Sequence, residues 1–259
     1  LSALCWAATY PVLHATCRGL GASRATAFVA SGVTLLAPVV WLAGTLPGPS
    51  AAGLLTSAVL FRALLEPWSG EVRPLSARRW CWSWALAAAT DLTLVLLYPA
   101  VVWAVLSHRR RAGPRPREHL ADDLLQLVLV LAALGLALAL AAWALPATGT
   151  GVEFLRLGWY LITGNAEQPI SSALAWALIL APSLGVGALG LWQLVMGAAQ
   201  PEAERRPGWL LGWCLFPFLF QVFMGRPNLD LATLVLGPVL AIGLADWLTT
   251  HERGGSEER

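Results

Sequence analysis

Two groups of residues in this chain have the type and spacing to do chemistry. The first is Asp91, an isolated acid ten residues inside the run 81–106, whose 26 residues are otherwise mostly apolar. An ionised carboxylate at that depth is costly, so the position suits a proton relay or a general base. Two structural readings stand beside it: a salt bridge to Arg62 or Arg79, or a helix that begins near Asp91 and leaves the acid at the surface. The second group is His119 with Asp122 and Asp123. A spacing of three puts His119 and Asp122 on one helix face, where an imidazole and a carboxylate can form an acid–base pair or hold a metal. The same letters serve as a helix start, because the helix dipole favours acids there. With so few local ligands, no metal site is predicted. His14, inside the first apolar run, is expected to be satisfied by a neighbouring helix, and His108 to belong to a basic loop.

Other chemistry is excluded. The chain has no Gly-x-Ser-x-Gly, no His-Glu-x-x-His, no phosphate-binding glycine loop and no clustered histidine pair, so familiar soluble-type catalysis is not expected. All 17 basic residues are arginine, which rules out a lysine Schiff base. The four cysteines are scattered with no Cys-x-x-Cys pair and read as buried free thiols. No cofactor is predicted.

The elements that must position Asp91 and His119 are set by the solvent. Apolar residues make up 57% of the chain and charged residues 12%, about half the charge of an ordinary soluble domain. Lipid is therefore the expected solvent, and the net charge of +2 is too small to suggest nucleic acid. The run 81–106 exceeds the ~20 residues a span needs. It empties into the basic loop 107–119, whose five arginines make a cytoplasmic anchor.

The expected fold is all-α, a polytopic transmembrane helix bundle of about seven spans plus one re-entrant or interfacial helix, in a single domain over 1–248. The spans are 1–17, 26–46, 81–106, 124–145, 170–196, 208–224 and 231–248. The first reads as a membrane segment, because it lacks a basic leader and an Ala-x-Ala site. A break at Leu46-Pro47-Gly48-Pro49-Ser50 ends the second. The segment 51–68 carries Arg62 and Glu66, so only a short apolar run precedes its first charge. If it does not span, the arginines divide 11 to 6 between the two sides rather than 9 to 8. The rule that positive residues stay inside then favours the re-entrant arrangement, with the loop 107–123 and the C-terminus in the cytoplasm.

Further along, 151–163 reads as an interfacial helix, and 170–196 as a span kinked at Ala181-Pro182-Ser183-Leu184-Gly185. Polar residues link 200–207, and a turn is expected at Arg226–Asp230. The tail 249–259 is charged and glycine-rich and is expected to be disordered. Most of the 14 tryptophans, Trp80, Trp82 and Trp84 among them, fall near predicted span ends, as a headgroup belt would place them. No internal repeat of transporter type is visible.

One part of the chain resembles the wax-synthase-like branch of the membrane-bound O-acyltransferases. It comprises an apolar helix, a Pro/Gly break, then Leu60-Phe61-Arg62-Ala63-Leu64-Leu65-Glu66 leading to Arg73-Pro74-Leu75-Ser76, with Asp91-Leu92 farther on. The resemblance covers about a quarter of the chain and implies acyl transfer to a lipid or alcohol inside the membrane. The late helix that holds that family's histidine reads Phe216-Pro217-Phe218-Leu219-Phe220-Gln221-Val222-Phe223-Met224 here, so no catalytic residue carries over.

Three functions follow as expectations: a lipid-modifying, acyltransferase-like enzyme using Asp91 or His119; a permease-type subunit using Asp91 and Asp246; or a non-catalytic membrane subunit. Membrane lipids and partner membrane proteins are the expected partners, and the bacterial inner (cytoplasmic) membrane the expected location.

Overall fold

The computed structural model describes residues 1–37, 40–41, 50–66, 77–111, 118–144, 208–223 and 229–257. Among them the chain is all helical, with no strand. In order they are α1 (Ser2–Gly19), α2 (Arg24–Leu36), α3 (Ser50–Leu65), α4 (Ala77–Thr90), a 3-10 helix (Leu92–Leu97), α5 (Tyr98–Arg111), α6 (Glu118–Ala144), α7 (Gly208–Phe223) and α8 (Leu229–Glu257). The interfacial helix 151–163, the kinked span 170–196 and the link 200–207 lie outside the described residues. So do most of the break at 46–50, part of the basic loop and part of the turn at 226–230. Among the described residues no helix is long and apolar enough to cross a membrane.

The first connection is tight. Gly21 has a φ of 91°, a left-handed conformation that L side chains resist, and lets its own N–H reach the Arg18 carbonyl at 3.0 Å. Ser23 then caps α2 by accepting from the Thr26 N–H at 3.1 Å. The chain so reversed sets Tyr10 edge-on to Phe28, with ring centroids 5.9 Å apart. The end of α8 returns to this turn: the Glu252 carboxylate accepts from the hydroxyls of Ser23 and Thr26. The tail expected to be disordered is thus helical through Glu257.

α3 is deeply enclosed, with Leu54, Ala58, Leu60, Phe61 and Leu64 all fully buried. It packs on α1, α4 and α8. The sequence predicts a re-entrant or interfacial element here, and the structure shows a 16-residue helix packed between α1, α4 and α8. Its contact with α8 has a specific cause. Pro238 has no N–H, so the Leu234 carbonyl four residues earlier loses its helical donor. The buried Ser57 hydroxyl of α3 donates to that carbonyl at 2.5 Å. Gly237 allows the approach: a Cβ there would meet Leu54 at 3.2 Å and Val40 at 3.4 Å.

The expected long helix over 81–106 does not form. α4 stops at Thr90, Asp91 is extended (φ −144°, ψ 114°), and the 3-10 helix follows. Trp84 Nε1 donates to the Leu94 carbonyl at 3.0 Å, and the Trp84 and Tyr98 rings lie 4.9 Å apart. In one straight helix Trp84 and Tyr98 would be ~21 Å apart along the axis, so the chain doubles back at Asp91. Pro99 sits at the second position of α5, where a missing N–H does little harm.

These contacts give the helices two common ends. Thr16, Gly19 and Leu20 of α1 and its cap lie with Arg62 of α3 and Glu66 just beyond it, and Trp80 Nε1 donates to the Ala63 carbonyl at 2.8 Å. The end of α1, the start of α2, the end of α3, the start of α4 and the end of α8 therefore share one end, the Arg18 end. At the other, the Asp91 end, Gly53 of α3 meets both Asp91 and Leu234. α6 packs on α4, and Asp123 in its second turn is within electrostatic reach of Cys81, so it starts at the Arg18 end.

The outer faces are greasy. Among the described side chains of α6, Leu127 and Val130 are buried, while Val128 is 61% and Leu136 62% exposed. Phe28 and Leu36 of α2 are 64% and 65% exposed, and Leu86 and Phe216 more than half. Trp80 and Trp84, expected in a headgroup belt, are instead fully buried with their indole N–H groups bonded to backbone. Trp41, Trp82 and Trp213 are exposed.

Candidate functional site

Asp91 is a cap. Its Oδ1 accepts from the Thr93 N–H at 3.0 Å and from the Thr93 hydroxyl at 2.6 Å, and so starts the 3-10 helix. Asp competes well with helical hydrogen bonding because its short side chain reaches nearby N–H groups, which is why the chain breaks here. Thr90 reinforces the break: its hydroxyl donates back to the Ala87 carbonyl at 2.8 Å and lies 2.7 Å from the Thr56 hydroxyl of α3. Behind Asp91 is Gly53, where an added Cβ would come within 3.0 Å of the Asp91 Cβ and 3.2 Å of Oδ2. A helix does begin beside Asp91, as one alternative left open by the sequence had it, but the acid is half-buried rather than left at the surface.

Neither arginine considered as its partner reaches Asp91. Arg79 Nη1 pairs with Glu66 Oε1 at 2.6 Å, at the opposite end of α4. Arg62 lies nine residues beyond Gly53 on α3, ~13 Å along the axis.

His119 is in the first turn of α6, at the Arg18 end. Asp122 is exposed and Asp123 half-buried. Cys81, the neighbour of Asp123, is ten residues from Asp91, ~15 Å along α4. Asp91 and the His119 group thus belong to different ends and do not form one site. Among the described residues no cluster of His, Cys, Asp or Glu could hold a metal ion. His14 stacks on Tyr10, with ring centroids 6.2 Å apart. The four cysteines are free thiols, three of them buried.

A different place has the shape of a site. At the Arg18 end, α1, α3 and α4 part to leave a cleft of about 290 Å³. Val12, Ala15 and Leu20 line it from the α1 side, and Val59 and Leu65 from α3. Its polar rim is Arg62, Glu66, Arg79 and Ser83. The small residues Ala15 and Gly19 on the α1 wall leave the space that larger side chains would fill. Neither Asp91 nor His119 lines it. Glu66 is the one carboxylate in the lining, and it is engaged with Arg79. The arrangement suits recognition of an anion with an apolar tail better than acid–base chemistry.

Arg62 and Glu66 one turn apart were visible as charges interrupting an apolar segment. Their joining with Ser83 was not, because it depends on α4 folding back against α3. No family model matches the chain, and neither do any curated protein or any solved structure.

Proposed function

We propose that this chain is a multi-pass integral membrane protein of the cytoplasmic membrane, with its Arg18 end in the cytoplasm, and that it handles membrane lipid through the cleft between α1, α3 and α4. The observation that carries this is the pairing of exposed apolar faces with the described arginines Arg18, Arg24, Arg62, Arg78 and Arg79 at one end of the helices. Side chains such as Phe28, Leu36, Val128 and Leu136 form exposed surface of a kind that soluble monomers keep small. With α3 counted as a crossing and 81–106 as two legs, Arg62, Arg73, Arg78 and Arg79 change sides. The 17 arginines then divide 15 to 2 rather than 11 to 6, which is the bias that fixes orientation in a bilayer.

The helices α3 and α4 have 16 and 14 residues, ~24 and ~21 Å. Both fall short of the ~30 Å hydrocarbon layer. In this reading α4 and the Asp91 turn form a half-length hairpin leg inside the protein, where irregular backbone is tolerated because neighbouring helices satisfy it. A local thinning of the bilayer accommodates the rest.

Between the catalytic and non-catalytic forms of this reading, one observation favours the second. Asp91 is committed to capping, and no described acid or histidine other than the paired Glu66 lines the cleft. An acyltransferase-like activity, the function implied by the resemblance, would need ester formation in membranes that falls when Asp91 is replaced by Asn.

The membrane reading is tested by expressing the full chain and washing the membrane fraction with alkaline carbonate. The protein is expected to stay with the membranes and to enter solution only with detergent. Recovery as a dispersed particle in detergent-free buffer would overturn it.

A further inference from the structure

We propose that the cleft holds the anionic headgroup of a membrane lipid, with Arg62 as the recognising cation and Ser83 as a second donor. The proposal rests on the membrane reading above and specifies the ligand of the same cleft. Three charged side chains line the cleft, and two of them, Arg79 and Glu66, are bonded to each other at 2.6 Å. Arg62 forms no hydrogen bond or ion pair among the described residues, and its neighbour Ser83 is half-buried with an unengaged hydroxyl. Thr16, by contrast, already donates to the Val12 carbonyl at 2.8 Å. Among the described residues the cleft therefore presents a positive fork and a hydroxyl without hydrogen-bond partners, above walls of Val12, Leu20, Val59 and Leu65.

A guanidinium offers parallel N–H groups that match two oxygens of a phosphate or carboxylate, and such charge-assisted bonds are about twice as strong as neutral ones. A volume of about 290 Å³ is at the small end of ligand pockets, which span ~300–1,000 Å³. It takes a headgroup and its first carbons, not a whole lipid. The chains have a route out: Trp82 and Leu86, flanking Ser83 on α4, are 47% and 56% exposed. The position at the Arg18 end is also where a headgroup would lie in the proposed orientation, and where an arginine stem can rest on apolar walls with its charge toward water.

The test uses the full chain purified in a non-ionic detergent, with lipid binding followed by native mass spectrometry. Phosphatidylglycerol is titrated against wild type, Arg62→Gln, Arg62→Lys, Ser83→Ala and, as a control at the same end but outside the cleft, Arg24→Gln. The expected result is a loss of about tenfold or more for Arg62→Gln, a smaller loss for Arg62→Lys and Ser83→Ala, and no more than about a twofold change for Arg24→Gln. Phosphatidylcholine should bind wild type no better than phosphatidylglycerol binds Arg62→Gln. If Arg62→Gln does not fold, as judged by its thermal midpoint without lipid, Arg62→Lys and Ser83→Ala carry the comparison. Equal retention of phosphatidylglycerol by wild type and the cleft variants would overturn the proposal. So would displacement of the lipid by inorganic phosphate at similar concentration, which would mark a site for free anions. Neither of these outcomes touches the membrane reading, which fails only if the chain needs no detergent.

Discussion

Asp91 shows how one residue can carry two accounts that differ in what replacement does. As a base, Asp91 would be lost with either Ala or Asn. As the cap seen here, its function is to accept from the Thr93 N–H and hydroxyl, and an Asn carbonyl oxygen accepts as well as a carboxylate. Asp91→Ala is therefore expected to destabilise the protein by about 1–2 kcal/mol, with Asp91→Asn within a few tenths of wild type. Thermal unfolding in detergent, followed by tryptophan fluorescence, checks this; an Asn variant as unstable as the Ala variant would dispose of the capping account. The cap was partly legible beforehand. Thr90-Asp91-Leu92-Thr93 contains a good capping residue two places before a threonine N–H, and a helix start at this point was one of the readings the sequence left open. Nothing in the letters chose it, because the apolar run continues unbroken on both sides and hydropathy does not register a reversal of direction. The cleft was less legible still: Arg62 and Ser83 are 21 residues apart, and only the return of α4 along α3 brings them together.

At the scale of helices, the Pro238 contact explains why α3 sits where it does. A proline inside a buried helix leaves a carbonyl without its donor, and an apolar surrounding offers no water to replace it. Ser57 supplies that donor from α3, so the two helices are matched at one oxygen atom. Ser57→Ala leaves the Leu234 carbonyl unsatisfied and is expected to reduce stability by about 1–3 kcal/mol. Pro238→Ala restores a helical N–H, so in its presence the loss of Ser57 should matter much less. A double-mutant cycle on the detergent-solubilised protein, with a coupling of at least ~1 kcal/mol between the two positions, is the expected outcome. Additive effects would show that the hydroxyl and the proline act independently. The pair Arg79–Glu66 is uneven: its arginine is 49% exposed and its glutamate 12%, so Arg79→Gln takes the cation from a largely buried carboxylate and should cost about 1–3 kcal/mol.

For the whole molecule, the helical character of the described residues and the lipid-like composition were plain from the sequence, whereas the directions of the helices were not. Hydropathy merges α4 and α5 into one run, and it reads α3 as re-entrant or interfacial because an apolar stretch that meets Arg62 and Glu66 so early looks too short and too charged to span. The contacts of Trp80, Trp84 and Gly53 set the directions of α3 and α4, and the arrangement proposed from them keeps the two ends of the chain on the sides expected from the arginines. The layouts differ at one testable place, the link 67–76. A seven-span chain puts it outside, whereas the arrangement proposed above, with α3 as a crossing, 81–106 as a two-legged hairpin and 170–196 as a further crossing, puts it in the cytoplasm. A Ser76→Cys variant in a background lacking the four native cysteines reads this directly with a membrane-impermeant maleimide. Residue 76 should stay unlabelled in intact cells and react after permeabilisation. Thr148→Cys, just beyond α6 and outside in both layouts, should react in intact cells. Labelling of residue 76 from the exterior would return Arg62, Arg73, Arg78 and Arg79 to the outer side. It would also remove the charge asymmetry on which the orientation, and with it the cytoplasmic placement of the cleft, depends.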